Sequence, residues 1–186
     1  AVGNTAASFT AAAVTNNTTN AAPTAPTLVN PADALTLSTA TPTLSATFQD
    51  PDTQDSGKVT FEVCSTSNCS TSLGTFDSTT TNLAVGATGS AAVPGGYSLA
   101  SGSTYYWRAK STDASAATSS FTTIRSFTVD TTAPTAGTRT GNGTAITLAY
   151  NELLDSSSTP APGDFTVVVN GSSRSVSSVS ISGSSV

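Results

Sequence analysis

Apolar residues recur at every second position along most of this chain, separated by Ser, Thr and small residues. Side chains on a strand point alternately to its two faces, so this period reads as strands with one buried face and one wet face. The clearest case begins at Tyr105, where Tyr105, Trp107 and Ala109 alternate with Tyr106, Arg108 and Lys110. It holds the only Trp of the chain, which makes it the expected central strand. Leu44, Ala46 and Phe48 share one face within 42–50, and Val59, Phe61 and Val63 alternate with Thr60 and Glu62. Short opening strands are expected at 27–30 and 35–37, further ones at 73–76 and 124–129, and one weak strand over 83–93. Gly86 and Gly89 make that last one an edge or a bulge. The expected core is anchored by Tyr105, Trp107, Phe61 and Phe48. About seven short strands separated by turn residues are the pattern of an all-β sandwich.

The pattern also divides the chain. Residues 1–20 hold one strand, near 7–14, with Phe9 and Val14 as its largest apolar residues, too little to form a core alone. Two Pro/Thr-rich linkers, 21–26 and 131–135, bracket the main sandwich at 27–130. Beyond them, Ile146, Leu148 and Tyr150 alternate, as do Phe165, Val167 and Val169 ahead of an Asn-Gly turn. Val176, Val179 and Ile181 then suggest a closing strand.

Leu99, Gly102 and Tyr105 have the spacing of a tyrosine corner, in which a Tyr at a strand start ties back onto the incoming loop. On this basis 26–130 resembles a fibronectin type III or bacterial Ig-like module, which implies a Greek-key scaffold and no particular chemistry. The C-terminal piece carries L-x-Y-N-E-x-L-D, then S-x-P, then D-F-x-V-x-V-N-G, then a Val/Ser segment. That order resembles the head of a SwmB-like repeat of large bacterial surface proteins. In that family the repeat closes with a segment like GNTAASFTAAAVTNN, which here stands at 3–17. The resemblance implies that 136–186 is an incomplete sandwich, and that 1–20 is the tail strand of a preceding or neighbouring repeat. Three arrangements fit: a window of a covalent tandem array of beads on a rod, a subunit whose first strand completes its neighbour, or a fragment with loose ends.

Composition narrows the function. Ser and Thr make up about a third of the chain, well above ordinary usage, yet 37% apolar residues in alternating runs suffice for a core. A net charge of −5 argues against nucleic acid as a partner. No apolar run of about 18 residues is long enough to span a membrane as a helix. The opening AVGNTAASF lacks a basic segment followed by an apolar one, and reads as the interior of a mature protein.

Candidate chemistry is sparse. Cys64 and Cys69, without His or a third Cys, lack the ligands of a zinc site and suit a disulfide stapling a tight hairpin in an oxidising compartment. Asp50, Asp52 and Asp55 place hard oxygen ligands in one turn, as Ca²⁺ requires, although the spacing is not that of an EF-hand. The alternative is a polar turn, since Asp and Gly are good turn formers. Glu152 with Asp155 is a second acidic pair, and Asp130 stands at a junction. No His is available as general base, and nothing places a carboxylate pair such as Glu62 and Asp77 across a groove, so no enzyme is expected. The expectation is a structural segment of an extracellular bacterial surface fibre that pairs with its own kind. The competing class is an adhesin presenting Tyr97 and Tyr106 to a ligand.

Overall fold

The computed structural model describes residues 19–186, which divide into two compact units meeting between Thr131 and Thr132. Phe9 and Val14 lie outside the described residues.

The first unit is a β-sandwich. Its smaller sheet contains β1 (Thr27–Asn30), β3 (Thr43–Thr47) and β7 (Thr88–Ala92) in the order β1-β3-β7. Its larger sheet has the order β2-β9-β8-β4-β5, from β2 (Leu35–Leu37), β9 (Arg125–Val129), β8 (Thr104–Asp113), β4 (Ser56–Cys64) and β5 (Ser72–Asp77). A two-residue strand, β6 (Leu83–Ala84), pairs with β4 beside β5. All pairings are antiparallel except β2 with β9.

The core lies between the sheets and follows from the alternation. From the smaller sheet come Leu28, Leu44, Ala46 and Ala91; from the larger come Val59, Phe61, Val63, Trp107, Ala109, Phe127 and Val129. Trp107, Phe48, Phe61 and Phe127 are fully buried, and Tyr105 packs half-buried against Phe127. The Tyr105 hydroxyl accepts the Ala100 N–H at 2.8 Å, tying the strand to the loop that precedes it. Gly57 marks a point where the sheets close tightly. A β-carbon there would collide with the Thr112 carbonyl oxygen and the Phe48 ring.

Two features of the first unit depart from the sequence pattern. The weak strand expected over 83–93 is two strands in different sheets, because Gly86 turns the chain at φ +83°. The crossing is fixed by the Phe48 main chain, which donates to Ala87 O and accepts from Gly86 N, both at 2.9 Å. Residues 21–26, expected as a linker, pack on the first unit: Pro23 and Pro26 are buried, and Thr24 N–H donates to Gln49 O.

The second unit holds two separate two-stranded sheets. One pairs β10 (Ala136–Gly141) with β11 (Ile146–Tyr150), and the other pairs β12 (Val167–Val169) with β13 (Ser172–Arg174). The β12–β13 turn is Asn170-Gly171 with positive φ at both residues, the conformation favoured in two-residue hairpins. β10 has no apolar alternation and was not expected; it forms by pairing with β11. The closing strand expected around Val176, Val179 and Ile181 is absent. Instead the last residues line the free edge of β11, where Leu148 and Val186 exchange main-chain hydrogen bonds of 2.7 and 3.0 Å. No residue of this unit is buried.

Candidate functional site

Three places in the fold gather groups of chemical interest. The first is at one end of the first unit, where the turn after β3 meets the end of β8. Antiparallel register places Gly57 opposite Asp113, so the last residue of β8 stands beside the 50–55 turn. One carboxylate oxygen from each of Asp50, Asp55 and Asp113 lies within 4.8 Å of the other two. Asp50 and Asp113 are only 7% and 5% exposed. Asp50 Oδ1 accepts the Asp52 N–H at 2.8 Å, whereas its Oδ2 is buried without a hydrogen-bond partner. Burial first, and then the negative charges of Asp55, Asp52 and Asp113, push the Asp50 carboxyl above its usual range, against the Asp52 N–H, which pulls it down. Asp113 is better served: its Oδ1 accepts the Ala117 N–H at 2.8 Å and its Oδ2 the Asn20 side-chain amide at 2.9 Å. Asp52 is turned away from the group, its Oδ2 accepting the Ala21 N–H at 2.7 Å. Of the three Asp singled out in the sequence, then, two come together, and the third carboxylate of the group is that of Asp113. That residue is remote along the chain, and only the pairing of β8 with β4 brings it in.

The second place is the outer face of the larger sheet. Cys64 and Cys69 form a disulfide with Cα atoms 5.1 Å apart, across the turn between β4 and β5. Glu62 approaches them, but sulfurs joined to each other are not metal ligands. Glu62 pairs instead with Arg108 Nε at 2.6 Å, and the guanidinium lies 4.1 Å over the Phe121 ring. Asp77 pairs with Lys58 and accepts the Thr60 hydroxyl at 2.7 Å. Each carboxylate of the Glu62 and Asp77 pair thus has a cation of its own. Tyr106 is half-buried within β8 on this face, whereas Tyr97 packs toward the core, edge-on against Phe76, and donates its hydroxyl to Thr75 O at 3.2 Å.

The third place is the second unit itself. Leu153, Val168, Ile146 and Val169 are 81%, 58%, 49% and 45% exposed. An open apolar cleft runs between Pro134, Tyr150, Leu154, Pro160, Ile181 and Val186. The outer edges of β10, β12 and β13 carry no paired strand among the described residues. Asp155 is occupied locally: two hydrogen bonds from Ser157 hold its carboxyl below the usual range.

Comparison with known proteins bears on this last unit. Residues 129–186 match the SWM repeat family, described as a "putative flagellar system-associated repeat" and in keeping with the SwmB-like resemblance of the C-terminal segment. No curated protein sequence matches the chain. Among solved structures, an α-L-rhamnosidase of Streptomyces avermitilis complexed with L-rhamnose aligns at 20% identity and a TM-score of 0.41, over 59% of this chain and 10% of that one. The α-L-rhamnosidase of Dictyoglumus thermophilum aligns at 12% identity and a TM-score of 0.40, over 70% of this chain and 17% of that one. The chain therefore spans only a small part of either enzyme.

Proposed function

We propose that this chain is a structural repeat segment of an extracellular bacterial surface fibre or filament, in which units are joined by main-chain pairing and apolar burial. The observation that carries the reading is the second unit, which has strands and large apolar residues yet buries none of them. Exposed apolar faces and unpaired strand edges are costly in water and invite another strand. The partner is a segment with the pattern of 3–17 from another copy of the repeat, adding a strand to the open edge of the β12–β13 hairpin. Phe9 and Val14 would then supply the missing apolar side chains.

The first unit serves as a spacer in this reading. Its division into a three-stranded and a larger sheet, together with the Tyr105–Ala100 tie, supports a fibronectin type III or Ig-like module. The disulfide, together with the match to a repeat described as flagellar system-associated, supports an extracellular setting. The reading assigns the chain no catalytic step.

Amide hydrogen exchange of the dilute chain, with and without a synthetic peptide of residues 3–17, tests the proposal. The peptide is expected to slow exchange over 167–174, and a peptide carrying Phe9→Asp is expected to have no effect. Strands of the second unit already as protected as β4 and β8 in the dilute chain would overturn the reading. So would a peptide without effect on a chain that sediments as a monomer at every concentration.

A further inference from the structure

We infer that Asp50, Asp55 and Asp113 form a Ca²⁺ site that clamps the incoming segment at residues 20–21 onto the end of the first unit. This goes beyond the structural role proposed above and stands independently of it.

The group is more than an accumulation of acidic residues. Asp50 Oδ2 is enclosed in the fold, with no donor N–H or O–H among the described residues, and the same carboxylate brings an oxygen within 4.8 Å of carboxylate oxygens of Asp55 and Asp113. A buried ionised oxygen without a partner is expensive, and a second or third anion beside it adds to the cost. A cation among the three oxygens removes both penalties together. The side chains gathered here offer oxygen and amide: the carboxylates of Asp50, Asp55 and Asp113, and the amide of Asn20. Oxygen donors of this kind select hard divalent ions. Ca²⁺ is favoured over Mg²⁺ because the donors come from an irregular turn and a strand end, and Ca²⁺ tolerates irregular geometry where Mg²⁺ demands a near-ideal octahedron.

The clamp follows from what lies beside the site. Asn20 now presents its amide nitrogen to Asp113 at 2.9 Å. Turned over by half a rotation, the same side chain presents its oxygen, so Asn20 becomes a fourth ligand without any movement of the main chain. Asp52 stands behind the group as a positioning residue: it holds the Ala21 N–H at 2.7 Å, while its own N–H holds Asp50 Oδ1. The ion would thus join three stretches distant in sequence: residues 20–21, the 50–55 turn and the end of β8.

The test is thermal unfolding of the full chain after EDTA treatment, with CaCl₂ or MgCl₂ then added, alongside calorimetric titration of Ca²⁺. Ca²⁺ is expected to raise the unfolding temperature of the first unit saturably, by about 10 °C at a hundredfold excess over Kd, and Mg²⁺ by less. Asp113→Asn and Asp55→Asn should lose the shift. Asp50→Asn should melt above the parent chain in EDTA, because an uncompensated buried charge is gone, and should show no response to Ca²⁺. Asn20 is exposed, so Asn20→Ala should fold normally and weaken Ca²⁺ binding about tenfold. An unchanged unfolding temperature up to about 10 mM Ca²⁺, well above the affinity range of extracellular modules, would overturn the site. A Ca²⁺ response that survives Asp50→Asn would place the ion elsewhere and overturn it equally. Unaltered affinity in Asn20→Ala would overturn the clamp.

Discussion

The two units are built from the same kind of sequence and reach opposite ends. Both alternate apolar residues with Ser and Thr, and both form antiparallel pairs. In the first unit the apolar faces of two sheets meet, and Trp107, Phe48, Phe61 and Phe127 disappear completely from solvent. In the second, two hairpin-sized sheets form, and Ile146 and Val168 remain about half exposed. Alternation is therefore enough to make a strand but not a core, which needs a second sheet facing the first. A two-stranded sheet alone is at best marginally stable in water.

The largest effect that would sharpen this contrast comes from truncating matched side chains. Trp107→Ala should cost the first unit about 3–5 kcal/mol, as removal of a fully buried aromatic does, whereas Leu148→Ala should cost the isolated chain under about 1 kcal/mol. Chemical denaturation of the two variants measures both, and equal losses would erase the distinction. A smaller effect is expected from the disulfide. The Cys64–Cys69 bridge closes a loop with a sequence separation of only 5, so chain entropy limits its contribution to about 2 kcal/mol. Reduction should lower the transition of the first unit by that amount and leave exchange in the second unit unchanged.

The smallest effect is electrostatic. Burial works to raise the Asp77 carboxyl, but hydrogen bonds from Lys58 and Thr60, together with the charges of Lys58 and Lys110, outweigh it and hold the group below its ordinary value. A carboxyl depressed in the folded state stabilises above the unfolded-state pKa, near 3.9, and that contribution fades as pH falls through the lower folded value. Stability of the first unit should therefore decline below about pH 4, and Asp77→Asn should flatten part of that slope. The pair is more than a third exposed, so the difference should stay under about 1 kcal/mol. An identical acid limb in the variant would show that Asp77 contributes nothing.

Strands with strong contrast between their faces were legible from the sequence. Leu44-Ala46-Phe48, Val59-Phe61-Val63 and Tyr105-Trp107-Ala109 alternate large apolar residues with polar ones, and nothing in the fold competes with that signal. Over 83–93 the residues are mostly small, so neither face announces itself, and the change of sheet at Gly86 depends on a contact with Phe48. β10 is Ala-Gly-Thr-Arg-Thr-Gly, a strand made by its neighbour rather than by its own pattern. A strand was expected around Val176, Val179 and Ile181, but none forms there and no strand among the described residues pairs with that stretch. The acidic group shows the same limit. Asp50 and Asp55 sit in one conspicuous turn, but the inclusion of Asp113 depends on strand register, and the exclusion of Asp52 on a hydrogen bond to Ala21. Tertiary facts of this kind leave no local trace.

The parallel pairing of β2 with β9 has a mechanical consequence. Leu35, Thr36 and Leu37 lie alongside Phe127, Thr128 and Val129, and the two strands run the same way from opposite ends of the unit. Tension applied through the polypeptide, upstream of β2 and downstream of β9, draws them past each other lengthwise. Their hydrogen bonds are then loaded all at once in shear rather than peeled open singly. Rupture requires the whole patch to give way together, so the first unit should yield abruptly under load instead of stretching by degrees.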